Sequence, residues 1–396
     1  MINYDLLDSI ANNHGASFYL FYPERFVHNL NEFSEGLSRY YQNSKLAYAL
    51  KANYMPKLCK ILQKNNYLAE VVSGMEYDIA RLYLPGDSLI FNGPCKSVED
   101  IRRGIEEGAI VNLDSFYELD LLEKMAGDYS VVPIGLRVNF DIGVGSSRFG
   151  FNLEEGAFSR AVSRLAVLKN VQLVSLHSHF TTRERSLALF VRRVDGMTKA
   201  YDSLPEKESV RYLNLGGGYF GPMSDKAKGR FPAPPPTLDE YAEVIGGGVA
   251  DRFPNGELQL ILEPGVSMVA DAMDYVVQVL DDRTARGTRY LTVDGSINCL
   301  FPTGSHYVPD FTVVGQGQRS VKKCHLSGYT CMEHDILMRD AEISAAPGDF
   351  IVFHNRGAYS NVYKPPFIRE APAIIGIDGS IYARRQTFHD IVAPYV

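Results

Sequence analysis

The chain has 396 residues, 45% hydrophobic and 22% charged, with a formal net charge of -7. That length exceeds one ordinary domain and that composition supports an ample core, so two globular units are expected. The acidic balance, with no Lys/Arg-rich tract, argues against nucleic acid as a partner, and no apolar run is long enough to suggest a bilayer span. Five cysteines (Cys59, Cys95, Cys299, Cys324, Cys331) are scattered without CxxC spacing. This fits neither a disulfide framework nor a structural zinc site. The opening Met1-Ile2-Asn3-Tyr4-Asp5 lacks the basic-then-apolar order of a signal peptide, so a cytoplasmic location is expected.

The first predicted element, Ser17–Phe21, is a short strand assigned to a sheet completed much later in the chain. Eight strand candidates follow: Lys45–Ala52, Tyr67–Ser73, Ser88–Gly93, Ala109–Asp114, Val132–Asn139, Val171–Phe180, Val210–Gly216 and Leu258–Glu263. Amphipathic segments lie between them, among them Ser97–Glu107, Ser115–Lys124, Leu153–Val167 and Leu187–Leu204. Eight strands alternating with helices predict a (β/α)8 TIM-like barrel. Gly221–Thr237 reads as one long Pro-rich loop, either a flexible connector or a cover over the substrate. Beyond residue 266 the runs Asp274–Leu280, Thr288–Val293, Phe311–Val314 and Asp349–Phe353 predict a β-domain. The expected division is residues 1–24 joining the β-domain, 25–265 the barrel, and 266–396 the β-domain.

A barrel carries its chemistry at the carboxyl ends of its strands, where several informative residues fall. Lys51 closes Tyr48-Ala49-Leu50-Lys51-Ala52-Asn53; a partly desolvated amine there can condense with an aldehyde, though a solvated strand end is the ordinary alternative. Arg137 ends Gly135-Leu136-Arg137-Val138-Asn139 and is followed by Ser147-Arg148-Phe149-Gly150; it can orient acids, contact a cofactor or form a surface ion pair. His177-Ser178-His179 has metal-ligand spacing but no matching carboxylate cluster, so a core role or a ring stacked on an aromatic cofactor remains open. Thr182 can donate to a phosphate. Gly216-Gly217-Gly218 can bring backbone N–H groups close to an anion, although Gly246-Gly247-Gly248 is a similar triplet without such a position. Glu263-Pro264-Gly265 ends the last barrel strand with a carboxylate that could pair with a pyridine nitrogen or simply with solvent. In the β-domain, Gly328-Tyr329-Thr330-Cys331 with Asp335 offers a thiol as proton donor or as buried packing, and Gly357-Ala358-Tyr359 a phenol that binds phosphate or packs.

The ordered set YALKAN, LRVN…SRFGF, LHSHF, NLGGG, LEPG, GYTC…D and GAY resembles the fold-type III pyridoxal-phosphate decarboxylases, which include ornithine, arginine and diaminopimelate decarboxylases. The resemblance spans nearly the whole chain, from the strand near Phe18 to Phe367. It implies pyridoxal 5'-phosphate as cofactor, with Lys51 forming the Schiff base, His179 stacking on the ring, and Arg137 and Glu70 nearby. Thr182, Gly217, Gly218, Gly265 and Tyr359 would hold the phosphate, and Glu263 would keep the ring nitrogen protonated. Cys331 would reprotonate the α-carbon from the other subunit of a homodimer with shared sites. The catalytic set is then Lys51, Glu263, His179 and Cys331. Racemases on this barrel are expected to place an arginine opposite the nitrogen, so Glu263 points to decarboxylation. No metal is implied.

The positions expected to meet the substrate are Thr303, Met332, Glu333, Tyr359 and Phe367. Several depart from the family's pattern. Thr303 stands where amine-selective members carry an aspartate, and Phe301-Pro302 where diaminopimelate enzymes carry an arginine. Met332 follows Cys331 in place of an acid, and Val266 follows EPG in place of an arginine. A bare distal ammonium would lack a charged partner here. The expected substrate is therefore a less usual α-amino acid, such as a conjugated unit in siderophore or other specialised-metabolite assembly. Basic groups such as His306, His334 or Arg369 remain available for a tail bound by another geometry. Diaminopimelate decarboxylation, racemisation and a non-catalytic binding homologue are the alternatives.

Overall fold

A computed structural model of the chain describes residues 2–300, 309–317, 320–364 and 366–395. Two compact units emerge: Val27–Pro222 with Ala233–Met268, and Met1–Phe26 with Met223–Pro232 and Val269–Val396. In chain order the strands begin with β1 (Ser17–Phe21), which belongs to the latter unit. The other unit contributes β2 (Ser44–Ala49), β3 (Leu68–Val71), β4 (Leu89–Phe91), β5 (Ile110–Leu113), β6 (Val132–Asn139), β7 (Phe151–Asn152), β8 (Val171–His177), β9 (Tyr212–Asn214) and β10 (Gln259–Leu262). Apart from the two-residue β7, these strands pair in parallel from β2 round to β10, and β10 pairs back to β2. The expected eight-stranded barrel is therefore closed.

Its helices start where the sequence offers caps. Ser97 and Asp100 form a capping box before Val98–Glu106, and the Ser115 hydroxyl accepts from the Glu118 N–H before Phe116–Met125. Most strands end earlier than expected, because the chain leaves the sheet to build loops at the carboxyl rim. Lys51 lies not on β2 but on a 3-10 turn, Leu50–Ala52, directly after it.

The barrel interior is layered by the pleat. Ala47, Leu68, Ile90, Ile110, Tyr212 and Ile261 form one apolar cluster drawn from six strands. Side chains two residues apart on a strand share a face. Two positions further along the same strands lie Ala49, Glu70, Asn92, Asn112, Asn214 and Glu263. An apolar floor thus carries a polar layer at the carboxyl end.

The other unit is mainly one sheet of β1, β11 (Met273–Ala285), β12 (Thr288–Val293), β13 (Phe311–Val314), β14 (Lys322–Ser327), β15 (Ile336–Ile343), β16 (Phe350–Phe353), β17 (Ala373–Gly376) and β18 (Ile381–Ala383). As expected, β1 joins it, antiparallel to β11 and parallel to β17. Phe18, Leu20, Val276, Phe350, Val352 and Ile375 anchor its core. The long loop is not uniform: Asp225–Lys228 is a helical turn, and Met223–Pro232 belongs to this unit. The Ser224 hydroxyl donates to Asp310, and Lys226 lies 3.7 Å from the same carboxylate.

Candidate active site

The polar layer at the barrel rim is one connected network. Lys51 forms an ion pair with Glu70, whose side chain is buried. Asn92 then bridges the acids, its amide nitrogen donating to Glu70 Oε1 at 3.1 Å and to Glu263 Oε1 at 2.7 Å. Asn214 donates to the same Glu263 oxygen at 2.6 Å, and Asn112 donates to Asn92 Oδ1 at 2.8 Å. Gly135 makes this possible, since a Cβ there would lie 1.9 Å from Asn112 Oδ1.

Glu263 is as deeply buried as Glu70 and is held unevenly. Oε1 accepts two amide hydrogen bonds, whereas buried Oε2 has no hydrogen-bond partner. His177 Nε2 stands 3.4 Å from Oε2, within ion-pair range but without hydrogen-bond alignment. Burial alone would push the carboxyl up; the facing His177 and the Lys51 amine outweigh burial and hold it well below the usual carboxylate range. An ionised carboxylate with one open oxygen can fix a proton on a facing base.

His179 and the glycine turn form the next part. The Gly217 N–H donates to His179 Nδ1 at 2.9 Å, which places the proton of the neutral ring on Nε2. Burial first, then the charges of Lys51, Arg137 and Arg193, press the His179 pKa well below its ordinary value. A neutral, flat ring results. Arg137, buried, donates to Asp114 Oδ1 at 3.0 Å and to the His179 carbonyl at 2.7 Å. Gly216 and Gly218 take φ of +64° and +107°, where a side chain would be strained. A Cβ on Gly217 would lie 2.3 Å from the Glu263 carbonyl oxygen. One expectation changes here: the Gly217 N–H is already engaged by His179, so Gly218 is the remaining backbone donor of the pair.

Gly265 packs tightly, a Cβ there meeting those of Ala52 and Ala49 at 3.0 and 3.1 Å, so the EPG turn sits against the Lys51 turn. The Thr182 hydroxyl donates within its own loop, to the Glu184 carbonyl. Thr182 also lines a cavity of about 690 Å³ with Asn139, Ser147, Arg148, Phe149 and Phe180.

In the other unit, buried Asp335 organises the loop carrying Cys331. Its Oδ1 accepts from the Ile297 N–H at 2.8 Å and the Ser296 hydroxyl at 3.2 Å, and Oδ2 accepts from the Thr330 N–H at 3.1 Å. Cys331, Met332 and Glu333 are exposed on that loop, so the thiol is not buried packing. The Phe367 carbonyl accepts from the Tyr329 hydroxyl at 3.4 Å, and Phe367 is itself exposed. Tyr359 takes φ of +65° ahead of the short helix Ser360–Tyr363. Thr303 lies outside the described residues.

Asn92, Asn112 and Asn214 were not singled out from sequence, and His177 was read only as part of the His177-Ser178-His179 run, not as a partner of Glu263. The signal for the asparagines was present: each lies two residues beyond an inward position of its own strand.

A closed parallel barrel with a lysine, a buried acid and a glycine turn at one rim defines a site suited to an aldehyde cofactor bearing phosphate. Residues 25–270 match the family described as "Pyridoxal-dependent decarboxylase, pyridoxal binding domain", and the chain belongs to that family. It is 26% identical over 377 residues to diaminopimelate decarboxylase of Methanocaldococcus jannaschii, covering 90% of this chain and 84% of that protein. The Aquifex aeolicus diaminopimelate decarboxylase is 24% identical, with 98% and 93% covered. The crystal structure of the M. jannaschii enzyme superposes with a TM-score of 0.87 at 25% identity, covering 98% of this chain and 94% of that one. The Paramecium bursaria Chlorella virus arginine decarboxylase shares the fold, with a TM-score of 0.76 at 20% identity over 92% of this chain and 97% of that one. The chain is a pyridoxal-phosphate-dependent carboxy-lyase acting on an amino acid. Its residues fit the cofactor: Oε2 of Glu263, which accepts no hydrogen bond and faces His177 at 3.4 Å, offers an acceptor for a protonated ring nitrogen, and the glycine turn leaves a backbone cradle. No helix among the described residues is long and apolar enough to cross a membrane.

Proposed function

We propose that Lys51, Glu263, His179 and Cys331 carry the α-decarboxylation of an amino acid. The ionised, half-satisfied Glu263 carboxylate is the observation that supports this reading most. Bound pyridoxal phosphate supplies an electrophilic aldehyde and a protonated ring that accepts the electron pair released with carbon dioxide. Lys51 Nζ is the covalent anchor, and Glu70 holds that amine in place through their ion pair. Glu263 Oε2 keeps a proton on the ring nitrogen, while Asn92 and Asn214 fix the carboxylate's orientation. Neutral His179 covers a ring face without adding charge. Gly218, Gly265 and Tyr359 serve the phosphate, and Thr182 joins them only if its hydroxyl turns away from the Glu184 carbonyl.

The exposed thiol of Cys331 returns a proton to the α-carbon, in a homodimer whose subunits complete each other's sites. Exposed Met332, Phe367 and Ile368, on loops joined by the Tyr329–Phe367 hydrogen bond, and exposed Tyr363 at the end of the helix Ser360–Tyr363 support such an interface. Glu333, Met332 and Phe367 face the substrate's tail in this reading.

For the substrate, the names of the relatives favour diaminopimelate. The residues of this chain favour a conjugated α-amino acid of specialised or siderophore metabolism, because Val266 and Met332 bring no charge where a charged tail needs one. Both readings exclude a bare distal ammonium. The deciding assay follows carbon dioxide release from meso-diaminopimelate, from citryl-conjugated diamino acids and from ornithine. Lysine formed from diaminopimelate selects the first reading, and release from the conjugates alone selects the second. Ornithine as the best substrate would overturn both.

A further inference from the structure

One buried cation lies behind the glycine turn. Arg193, on the helix Leu187–Asp202, is 1% exposed. Its two terminal nitrogens donate to the Gly217 carbonyl at 2.8 Å and the Phe180 carbonyl at 3.0 Å, and its Nε has no hydrogen-bond partner. The guanidinium lies 4.7 Å from the Phe190 ring centroid and 5.5 Å from that of Phe180. Among the described residues no carboxylate forms an ion pair with it. Burial leads in pressing its pKa down, to about 10, still high enough to leave the group charged at neutral pH, and the charge of Glu263, which makes no ion pair with it, is the least of the opposing causes. A buried charge without a counter-charge is costly, and natural proteins seldom keep one without a ligand or partner that offsets it.

The hydrogen bonds around the turn say where that counter-charge belongs. In a trans peptide the C=O and the following N–H point in opposite directions. The Gly216 carbonyl accepts from the Tyr219 hydroxyl and from the Glu263 N–H, both at 2.8 Å, and the following N–H, of Gly217, turns to His179. The Gly217 carbonyl is drawn to Arg193, so the following N–H, of Gly218, is aimed away from the arginine helix. A guanidinium on the carbonyl side also polarises that peptide, making the N–H a better anion donor. A Cβ placed on Gly218 would lie 3.7 and 3.9 Å from the two terminal nitrogens, so the charge sits immediately behind this residue.

We propose that Arg193 is the positioning residue and buried counter-charge for the cofactor's phosphate, acting through the Gly217–Gly218 peptide rather than as a surface clamp. The proposal rests on the phosphate occupying the glycine turn, as assigned above.

The test is to titrate full-length apoprotein, made by stripping the cofactor, with pyridoxal phosphate and with pyridoxal, which lacks the phosphate. Binding is read by the absorbance band of the Lys51 adduct and by borohydride trapping, and the quantity of interest is the affinity ratio of the two ligands. Wild type is expected to prefer pyridoxal phosphate strongly. Arg193→Gln, which keeps donors but loses charge, is expected to lower that ratio on the order of tenfold or more while pyridoxal affinity stays within about twofold. Arg193→Lys is expected to retain most of the ratio. Inorganic phosphate alone is expected to raise the apoprotein's melting temperature in wild type and Arg193→Lys but not in Arg193→Gln.

An unchanged ratio in Arg193→Gln overturns the proposal, as does an equal loss for both ligands, which marks a merely structural role. Equal loss of the ratio in the Lys and Gln variants overturns it too. Should Arg193→Gln not fold, the lysine variant decides: loss of its ratio or of its phosphate-induced shift counts against the proposal. A wild type that does not discriminate the ligands removes the phosphate cradle itself, an outcome distinct from failure of Arg193 alone.

Discussion

Two buried carboxylates, one in each unit, are satisfied in opposite ways. Asp335 spends both oxygens inside the protein, accepting from the Ile297 and Thr330 N–H groups and the Ser296 hydroxyl. Glu263 has one oxygen doubly engaged by asparagine amides and the other without a hydrogen bond. Both acids are buried, so burial does not separate structure from function. The unfilled valence does. A native protein leaves a buried oxygen open, at about 1–3 kcal/mol, chiefly where something else will fill it.

The largest effect that sharpens this contrast comes from the barrel's reactive amine. Lys51→Ala is expected to abolish carbon dioxide release, by roughly 10⁴-fold or more, and to eliminate the borohydride-trapped cofactor adduct. A full-strength adduct on another lysine would remove Lys51 from its role.

Glu263→Gln follows. The charge opposite the ring nitrogen is lost, and the new amide must orient its oxygen toward the Asn92 and Asn214 donors. The expected loss is about 10²–10³ in kcat with little change in unfolding free energy, since the fold is not built on Oε2. If the variant instead melted like a core mutant and kept its kcat, the contrast with Asp335 would collapse.

Asp335→Ala should behave in the opposite manner. It leaves two backbone N–H groups and the Ser296 hydroxyl without their acceptor and is expected to cost about 2–4 kcal/mol in denaturant unfolding. Fully formed cofactor adduct on Lys51 is expected to persist in whatever fraction stays folded. Unchanged stability with a lost adduct would reverse the roles assigned to the two acids.

How much of this was legible beforehand depends on the kind of signal. The eight barrel strands were readable because each is an apolar run bounded by turns, and Ser97 and Ser115 marked helix starts by their capping chemistry. Lys51, Arg137, His179 and Glu263 stood near strand ends where a barrel gathers its chemistry, Glu70 was named only by the resemblance, and the structure joins them through hydrogen bonds. Strands β14 and β15 were missed because their sequences, KKCHLS and ILMRDAEI, mix charges into partly exposed positions. Asn92 and Asn112 carried no motif; only the register of the closed barrel reveals that they stand two residues above Ile90 and Ile110. Arg193 reads as one more basic residue on an amphipathic helix until its burial is known.

A third acid, Glu76, gives the comparison its finest test. It is buried on the helix Gly74–Arg81 and accepts the Val72 N–H at 2.9 Å, so it is less fully satisfied than Asp335. Burial, and then the charge of Glu70, raise its pKa to about 7 against the partial opposition of the Val72 N–H and Lys51. Its folded pKa therefore lies above the unfolded value near 4.3. Between those two values the folded state binds more protons than the unfolded chain, so this group's contribution to stability is full below about pH 4 and is lost as pH rises toward about 7. His179 and Glu263, whose pKa values are depressed, act in the opposite sense, with stability falling as pH drops below their unfolded values. Glu76→Gln keeps an oxygen for the Val72 N–H and removes the titration. It is expected to flatten the decline between about pH 5 and 7 by on the order of 1–2 kcal/mol, measured by urea unfolding at half-unit pH steps. Parallel curves for wild type and variant would mean that Glu76 is already ionised in the folded protein, and that the Lys51–Glu70 pair sits in a more negative field than its neighbours imply.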